Sequence, residues 1–352
     1  SDVQAALREL YEETGMTGAN ALEPGILKGD ILINMDSETE GELYVGCAGG
    51  IDTCGYFTPK FEDVPAGSKA FQLIVKGLKG GHSGMDIILG RANANKVMNA
   101  LLLKATEKFN ARVADIQGGS LRNAIPRESF VTITVPEAKA EELLAYVPEF
   151  EAVVKEQFAA VEPEMSITVV PAEMPAKVID KETIAKLIEA VAKYPNGVIA
   201  MSKDFEGTVE TSSNLAIVKL VDGQIMTASL QRSLVDASKD ELAAEMRKVL
   251  ESCGARAEST GSYPGWKPNI NSIIYNTMKK VYADKYGKTP KTMVIHAGLE
   301  CGILGSKYPN WDMVSFGPTL VFPHSPDEAL KIDTVPLFWD FLTETLKNVP
   351  VK

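Results

Sequence analysis

Several residue types and patterns are scarce in this chain of 352 residues, and each absence excludes a class of protein. Only four cysteines occur, none in a CxxC pair, so a disulfide scaffold and a cysteine zinc site are not expected. No apolar run approaches the roughly 20 residues of a membrane span, and the first residues lack a signal-peptide pattern. The sequence therefore predicts a cytoplasmic protein with buried thiols and no membrane partner.

Basic side chains are also outnumbered, because 47 Asp and Glu face 36 Lys and Arg and the formal net charge is -11. This balance argues against nucleic acid or an anionic membrane as a partner. With 45% hydrophobic and 24% charged residues, the chain has the composition of a soluble globular protein. Its length exceeds what one hydrophobic core usually organises, so two domains are expected.

Short catalytic signatures are missing as well. The sequence contains no HExxH pair, no GxSxG elbow, and neither GxxxxGK[ST] nor GxGxxG. Serine-nucleophile chemistry and nucleotide binding therefore have no support from local patterns. A metal site, if present, must be assembled from residues that lie far apart in sequence.

Such residues occur near the beginning of the chain. Glu12 and Glu13 are adjacent, and the apolar run 31–35 ends at Asp36. A short apolar run between polar residues predicts a strand buried on both faces, with Asp36 at its carboxyl end, where α/β sheets collect ligands. Because neighbouring side chains diverge, one glutamate could bind a metal while the other transfers a proton. The alternative is a solvated acidic turn followed by a strand with a polar end.

Only three histidines are present, and each lies in a turn-like context. His82 lies in Gly-Gly-His-Ser-Gly, His296 follows an apolar run, and His324 is flanked by prolines. Glu13, Asp36 and His324 together form a ligand set that suits zinc or manganese, with Glu12 placed to accept a proton from metal-bound water. The alternative for each histidine is a hydrogen-bonded packing role.

Hydrophobic periodicity predicts an α/β protein. Helices are expected at 92–109, 137–160, 183–193, 239–253, 271–286 and 338–349. Strands are expected at 31–35, 43–47, 71–78, 112–116, 130–135, 166–170, 215–221, 224–230, 255–259, 292–295 and 313–316, with a turn at Gly49–Gly50. The resulting architecture is a mostly parallel sheet domain (1–66 and 266–352) interrupted by an inserted α+β domain (67–265) built from two similar halves.

Seven short stretches are specific as a set: Glu-Glu-Thr-Gly-Met (12–16), Asn-Met-Asp-Ser-Glu (34–38), Gly-Cys-Ala-Gly-Gly (46–50), Lys-Gly-Gly-His-Ser-Gly (79–84), Arg-Asn-Ala-Ile-Pro-Arg-Glu (122–128), His-Ala-Gly-Leu-Glu-Cys-Gly (296–302) and His-Ser-Pro-Asp-Glu (324–328). In this order they resemble the aminoacylhistidine dipeptidase family, the bacterial Xaa-His dipeptidases also called peptidase D or beta-alanyl-histidine dipeptidase. The likeness runs from about Glu12 to the end of the chain.

The resemblance implies a cytoplasmic di-zinc dipeptidase, with manganese or cobalt as possible replacements, whose inserted lid domain forms a homodimer. By resemblance, Glu12 is the general base, and His82 stabilises the oxyanion, in related enzymes often from the partner subunit. The resemblance further implies metal ligands and a substrate-binding set: Glu13, Asp36 and His324 for the metals, and Asn123, Arg232, His296 and Gly298 for the substrate.

One departure from the family limits these expectations. The family has an upstream His-x-Asp motif and a later aspartate that bridges both metals, and residues 1–11 supply neither. The sequence therefore predicts a processed or truncated product lacking the N-terminal part. Two alternatives stay open at this point: a non-catalytic dimeric binding or scaffold protein, and an amidohydrolase that acts on acyl-amino acids.

Overall fold

The computed structural model describes residues 17–321 and 328–350. The helices within these residues are α1 Thr17–Ala21, α2 Ala94–Phe109, α3 Glu137–Phe158, α4 Lys181–Lys193, α5 Asp236–Ser252, α6 Ile273–Tyr286, α7 Glu300–Lys307 and α8 Thr334–Asn348. The strands are β1 Ile31–Asn34, β2 Glu42–Cys47, β3 Gly49–Phe57, β4 Phe61–Asp63, β5 Ser68–Lys76, β6 Gly81–His82, β7 Arg112–Gly118, β8 Ala124–Ile125, β9 Ser129–Pro136, β10 Ser166–Pro171, β11 Lys177–Ile179, β12 Gly197–Met201, β13 Val209–Val221, β14 Gln224–Ser233, β15 Arg256–Tyr263, β16 Lys291–Ile295, β17 Asp312–Ser315, β18 Leu320–Val321 and β19 Ala329–Leu330.

A small sheet is formed from both ends of the described chain, in the order β1-β17-β2-β16. β1 pairs with β17 in parallel, β2 pairs with β16 in parallel, and β17 meets β2 in antiparallel fashion at Ser315 and Tyr44. Residues of α6 and α8 pack against this sheet in one hydrophobic cluster, which includes Val45, Met278 and Phe341. The predicted mostly parallel sheet, built from two distant parts of the chain, is confirmed.

A larger sheet of nine strands has the order β10-β5-β9-β7-β13-β14-β3-β15, with β12 added beside β13. Its two halves have the same connectivity. In each half, a first strand is followed by a helix, two strands, a second helix and a last strand: β5, α2, β7, β9, α3, β10 in one, and β3, α4, β13, β14, α5, β15 in the other. The strand orders mirror each other about the antiparallel pair β7–β13, so a pseudo-twofold axis relates the halves.

The half that begins with β5 is inserted into the other half, after its first strand β3. The sequence predicts two similar halves but misses β3, because Gly49 and Gly50 indicate a turn. That prediction is wrong: both glycines lie in β3, opposite Ser233 and Arg232 of β14. The strand is almost wholly buried, so it lacks the polar alternation that would have identified it.

The predicted segment 1–66 thus contributes strands to both sheets, and the division at residues 66 and 265 stays a prediction. Six of the eight helices in the described residues follow the predicted periodicity, whereas α1 and α7 were not predicted. In α4, for example, Ile184, Leu187, Ile188 and Val191 form the buried stripe, and the Asp180 side chain caps the helix by accepting from Thr183 N at 2.9 Å. Within residues 17–321 and 328–350, no helix has the length and apolarity needed to cross a membrane.

Candidate active site

The loop that carries His82 is held by a short ladder against the neighbouring loop. β6 pairs with β8, so His82 lies opposite Ala124, and Ser83 N donates to Asn123 O at 2.8 Å. Asn214, in the long strand β13, in turn donates through Nδ2 to Ala124 O at 2.8 Å. The predicted site residues His82 and Asn123 therefore lie side by side on backbone that is anchored to the larger sheet.

Glu162 fixes both ends of this loop. The residue is 1% exposed, and its two carboxylate oxygens accept from Lys79 N at 2.8 Å and from Ala92 N at 3.1 Å. Residues 79 and 92 enclose His82, so one buried side chain closes the loop at its base. Hydrogen bonds between a carboxylate and backbone N–H groups are short and strong, which makes this a rigid support.

The tautomer of His82 follows from its contacts. Nδ1 accepts from the backbone N–H groups of Gly84 at 3.2 Å and Met85 at 3.0 Å. In a neutral imidazole one nitrogen accepts and the other carries the proton, so Nε2–H is a donor. Burial, and then the nearby charge of Arg232, lower the pKa of His82 from 6.5 to about 4. The ring is therefore neutral at pH 7 and offers a permanent donor.

Gly84 allows this loop to approach the end of β16. A Cβ atom at residue 84 would lie 2.0 Å from His296 O and 3.1 Å from the His82 ring carbon Cε1. Contacts this close exclude any side chain, so glycine is required for the observed approach. The contact joins the His82 loop to His296 within one chain.

Arg232 lies beside His82 in the interior. The side chain is only 4% exposed, Nη1 donates to Tyr263 Oη at 2.8 Å, and Nη2 lies 3.5 Å from His82 Nε2. Its Nε has no hydrogen-bond partner among the described residues. Asp52, whose charge interacts with Arg232, instead accepts a hydrogen bond from Arg122 at 2.7 Å. The buried guanidinium of Arg232 thus faces the Nε2–H donor of His82. In the described part of the chain, no carboxylate accepts a hydrogen bond from the guanidinium or from this Nε2–H.

Two donors that face each other create a site for an anion. A buried charge is costly unless it is paired, and a ligand with acceptor oxygens would satisfy both groups at once. Neither His82 nor Arg232 can accept from the other, because His82 Nδ1 already serves as the acceptor. The arrangement can therefore bind a carboxylate or stabilise an oxyanion.

His296 is the second buried imidazole of the site. Its Nε2 lies 2.7 Å from Ser212 Oγ, and the residue is 6% exposed. Burial, followed by the charge of Arg232, lowers the pKa of His296 from 6.5 to about 3. Since Ser212 lies directly opposite Arg232 in the sheet, His296 and Arg232 belong to the same cluster.

The remaining predicted residues are distributed around this cluster or lie outside the described chain. Asn123 is exposed beside His82, and Gly298 is half-buried in the loop between β16 and α7. Asp36 is exposed, two residues beyond the end of β1. Glu12, Glu13 and His324 lie outside the described residues. Within residues 17–321 and 328–350, no three His, Cys, Asp or Glu side chains form a group that could hold a metal ion.

Three members of the site could not be found from the sequence. Tyr263 ends β15, Ser212 lies in β13, and Glu162 follows α3, so none belongs to a recognisable pattern. Only strand pairing brings Ser212 and Tyr263 to the same level as Arg232. Their roles depend on register, and register between distant strands is not encoded in any local signal.

The chain thus combines a small, mostly parallel sheet with a pseudo-twofold inserted part, and the buried cluster of His82, Arg232 and His296 lies where that part meets the end of β16. The Peptidase dimerisation domain family matches residues 73–162, most of the half that begins with β5. A cytosol non-specific dipeptidase from Escherichia coli (strain K12) is 43% identical over 349 residues, which cover 98% of this chain and 71% of that protein.

The crystal structure of an aminoacylhistidine dipeptidase from Vibrio alginolyticus superposes with a TM-score of 0.90 at 45% identity. That match covers 97% of this chain and 70% of the other. The chain therefore belongs to the aminoacylhistidine dipeptidase family, a family of metallo-dipeptidases. The predicted family and fold class are confirmed.

Proposed function

We propose that this protein hydrolyses dipeptides, with a preference for Xaa-His, by means of a metal-activated water and Glu12 as general base. The observation that carries the proposal is the buried Arg232 guanidinium facing the Nε2–H of His82, with the nitrogens 3.5 Å apart. A dipeptide brings two acceptors to such a site, its terminal carboxylate and the oxyanion that develops at the scissile carbonyl. The name of the Vibrio alginolyticus relative supports the Xaa-His preference.

Asp36 belongs to the proposed metal centre, together with Glu13 and His324. A set of two carboxylates and one imidazole suits zinc, and two zinc ions are proposed, with manganese or cobalt as possible replacements. Leu320 N, in the segment before His324, donates to Glu38 O at 3.1 Å, in the segment after Asp36. This contact holds the segment that follows Asp36 against β18. When bound, the metal would polarise the scissile carbonyl and lower the pKa of the attacking water.

The side chains of the chain itself have separate roles in this proposal. Glu12 accepts the proton of the attacking water and returns it to the leaving amine. His82 donates through Nε2–H to the developing oxyanion, and a pKa of about 4 keeps it a neutral donor at pH 7. Arg232 and Asn123 hold the carboxylate end of the dipeptide, while His296 and Gly298 line the pocket.

The segment that carries His296 also lies near the proposed metal centre. The Cys301 thiol, which follows His296 in the same segment, lies beside the side chain of Asn34. Asn34 ends β1, directly before the segment that carries Asp36. This proximity supports an active site that extends from the anion-binding cluster to the metal ligands.

The proposed assembly is a cytoplasmic homodimer formed through the inserted domain. The match to a peptidase dimerisation domain at residues 73–162 supports the dimer. The word cytosol in the name of the Escherichia coli relative supports the compartment.

The proposal is tested by measuring amino acid release from β-alanyl-histidine together with bound zinc, for the wild type and for Glu12→Gln. Because the variant keeps the ligand set but loses the base, zinc content should be unchanged while turnover falls by about 10²-fold or more. Glu141→Gln, an exposed position in α3, is the matched control and should match the wild type in both measurements.

Equal turnover in the Glu12→Gln variant would remove Glu12 as the base. A wild-type chain that binds the dipeptide without releasing amino acids would instead identify a binding protein. Release from acyl-amino acids but not from dipeptides would change the substrate class.

A further inference from the structure

A row of four residues crosses the larger sheet at the level of the anion site. Ser212 of β13 pairs with Arg232 of β14, Arg232 pairs with Gly50 of β3, and Gly50 pairs with Tyr263 of β15. Directly opposed residues of neighbouring strands project to the same face of a sheet. The row therefore presents one hydroxyl, one guanidinium, one gap and one phenol to the same side.

The gap at Gly50 is filled by the tyrosine ring. A Cβ atom on residue 50 would lie 2.5 Å from both Cζ and Oη of Tyr263. The ring thus extends across Gly50 toward β14, which brings Oη to 2.8 Å from Arg232 Nη1. Any side chain at residue 50 would displace the ring and separate the phenol from the guanidinium.

The hydrogen bond between these two groups has only one possible direction. Arginine can only donate, so Tyr263 Oη accepts from Nη1 and its own proton remains available. That proton has no acceptor in the described part of the chain. The phenol thus adds a third donor beside Arg232 and the Nε2–H of His82, and none of the three donates to a carboxylate within the described residues.

We propose that Tyr263 is a substrate-binding residue that donates its phenolic hydrogen bond to the terminal carboxylate of the dipeptide, and that Gly50 is the positioning residue that makes room for it. This inference rests on the proposed function and specifies which end of the substrate the inserted domain recognises. A carboxylate only accepts hydrogen bonds, whereas a terminal carboxamide would direct its own N–H donors at the same donors. The site should therefore select dipeptides with a free C-terminus.

The test is calorimetric titration of β-alanyl-histidine and of its C-terminal amide into the wild type and Tyr263→Phe, both carrying Glu12→Gln so that the dipeptide is not hydrolysed during the titration. The wild type should bind the acid at least tenfold more tightly than the amide. The variant should lose about tenfold for the acid, as expected for a hydrogen bond to a charged group, and nothing for the amide. Where turnover is measurable, the loss should appear in KM rather than in kcat.

Tyr56→Phe is the matched control, because Tyr56 lies in β3 but its hydroxyl donates to Glu258 at 3.1 Å, far along the strand from Gly50. It should leave both affinities unchanged. Gly50→Ala should lower the preference for the acid in the wild type but not in a Tyr263→Phe background, since its effect acts through the phenol. If Gly50→Ala does not fold, Tyr263→Phe alone decides.

The inference is overturned if Tyr263→Phe binds the acid as the wild type does, if acid and amide are weakened equally, or if the wild type binds neither ligand. Failure of the proposed function gives a different result. In that case the acid is bound with the expected selectivity, but no amino acid is released in the presence of zinc.

Discussion

Arg232 and His82 show how single side chains acquire a function from their surroundings. Arg232 is charged and 4% exposed as a residue. Because His82 Nδ1 accepts from two backbone N–H groups, the imidazole directs its Nε2 proton, rather than a lone pair, toward the guanidinium. In a folded protein such an arrangement costs free energy unless an anion completes it. The cost is consistent with a site shaped for a ligand rather than for stability alone.

At the residue scale, the lowered pKa values of the two buried histidines predict how the free energy of unfolding depends on pH. His82 and His296 have pKa values of about 4 and about 3 in the folded chain, against 6.5 when unperturbed. Between these values and pH 6.5 the unfolded chain binds more protons than the folded chain. Stability should therefore rise with pH across this window, by up to about 1.4 kcal/mol per pH unit for each histidine.

Denaturant unfolding of the wild type and of His296→Gln at pH 5 and pH 7.5 tests this expectation. Glutamine can still hydrogen bond to Ser212 but does not titrate. The free energy of unfolding of the wild type should therefore exceed that of His296→Gln by less at pH 5 than at pH 7.5. A gap that is the same at both pH values would show that His296 does not remain neutral in the folded chain.

At the element scale, the conformation of the loop between β5 and α2 is held by a residue that lies outside the loop. Its residues make a short ladder with β8, but its base is closed by Glu162, which follows α3. The sequence predicted the functional importance of His82 in this loop. It could not predict the support, because Glu162 lies 83 positions after Lys79 and 70 positions after Ala92 and has an ordinary sequence context.

Glu162→Gln should destabilise the protein by about 1–3 kcal/mol, because one carboxylate oxygen is replaced by an amide that donates toward a backbone N–H. The amides of Lys79 and Ala92 should exchange faster with solvent. Hydrogen exchange and denaturant unfolding measure both effects. Glu164→Gln, two positions later and exposed, is the matched control and should change stability by less than about 0.5 kcal/mol. If the amides of residues 79 and 92 exchange at the wild-type rate in Glu162→Gln, then Glu162 does not close the His82 loop.

At the scale of the whole molecule, the inserted domain resembles two dimerisation domains joined in one chain. The family match covers only the half from β5 to α3, yet the second half repeats its connectivity across the β7–β13 pair. The sequence resemblance left open whether His82 serves the active site of a partner subunit. In the structure, His82 lies beside Arg232, and Gly84 lies against His296, all within one chain.

Mixing two inactive variants tests this arrangement. If His82 serves its own chain, co-refolded His82→Ala and Glu12→Gln should show no more activity than the sum of the two separate proteins. A site shared between subunits would instead recover a sizeable fraction of wild-type turnover in the mixed dimer. Co-refolding either variant with wild-type chain is the control, and activity there should follow the fraction of wild-type chain.

The amino-acid sequence by itself determined the α/β class, the family, and six of the eight helices and eleven of the nineteen strands in the described residues. It also predicted an interrupted domain order and site roles for His82 and Arg232. Those features depend on local periodicity and on short residue patterns, which are present in the chain before it folds. Only the tertiary structure decided that β3 is a strand, that Gly50 makes room for Tyr263, and that Glu162 closes the His82 loop. Each of these features depends on the register of strands or on packing between distant segments. Such contacts form only in the folded sheet, so no local sequence pattern predicts them.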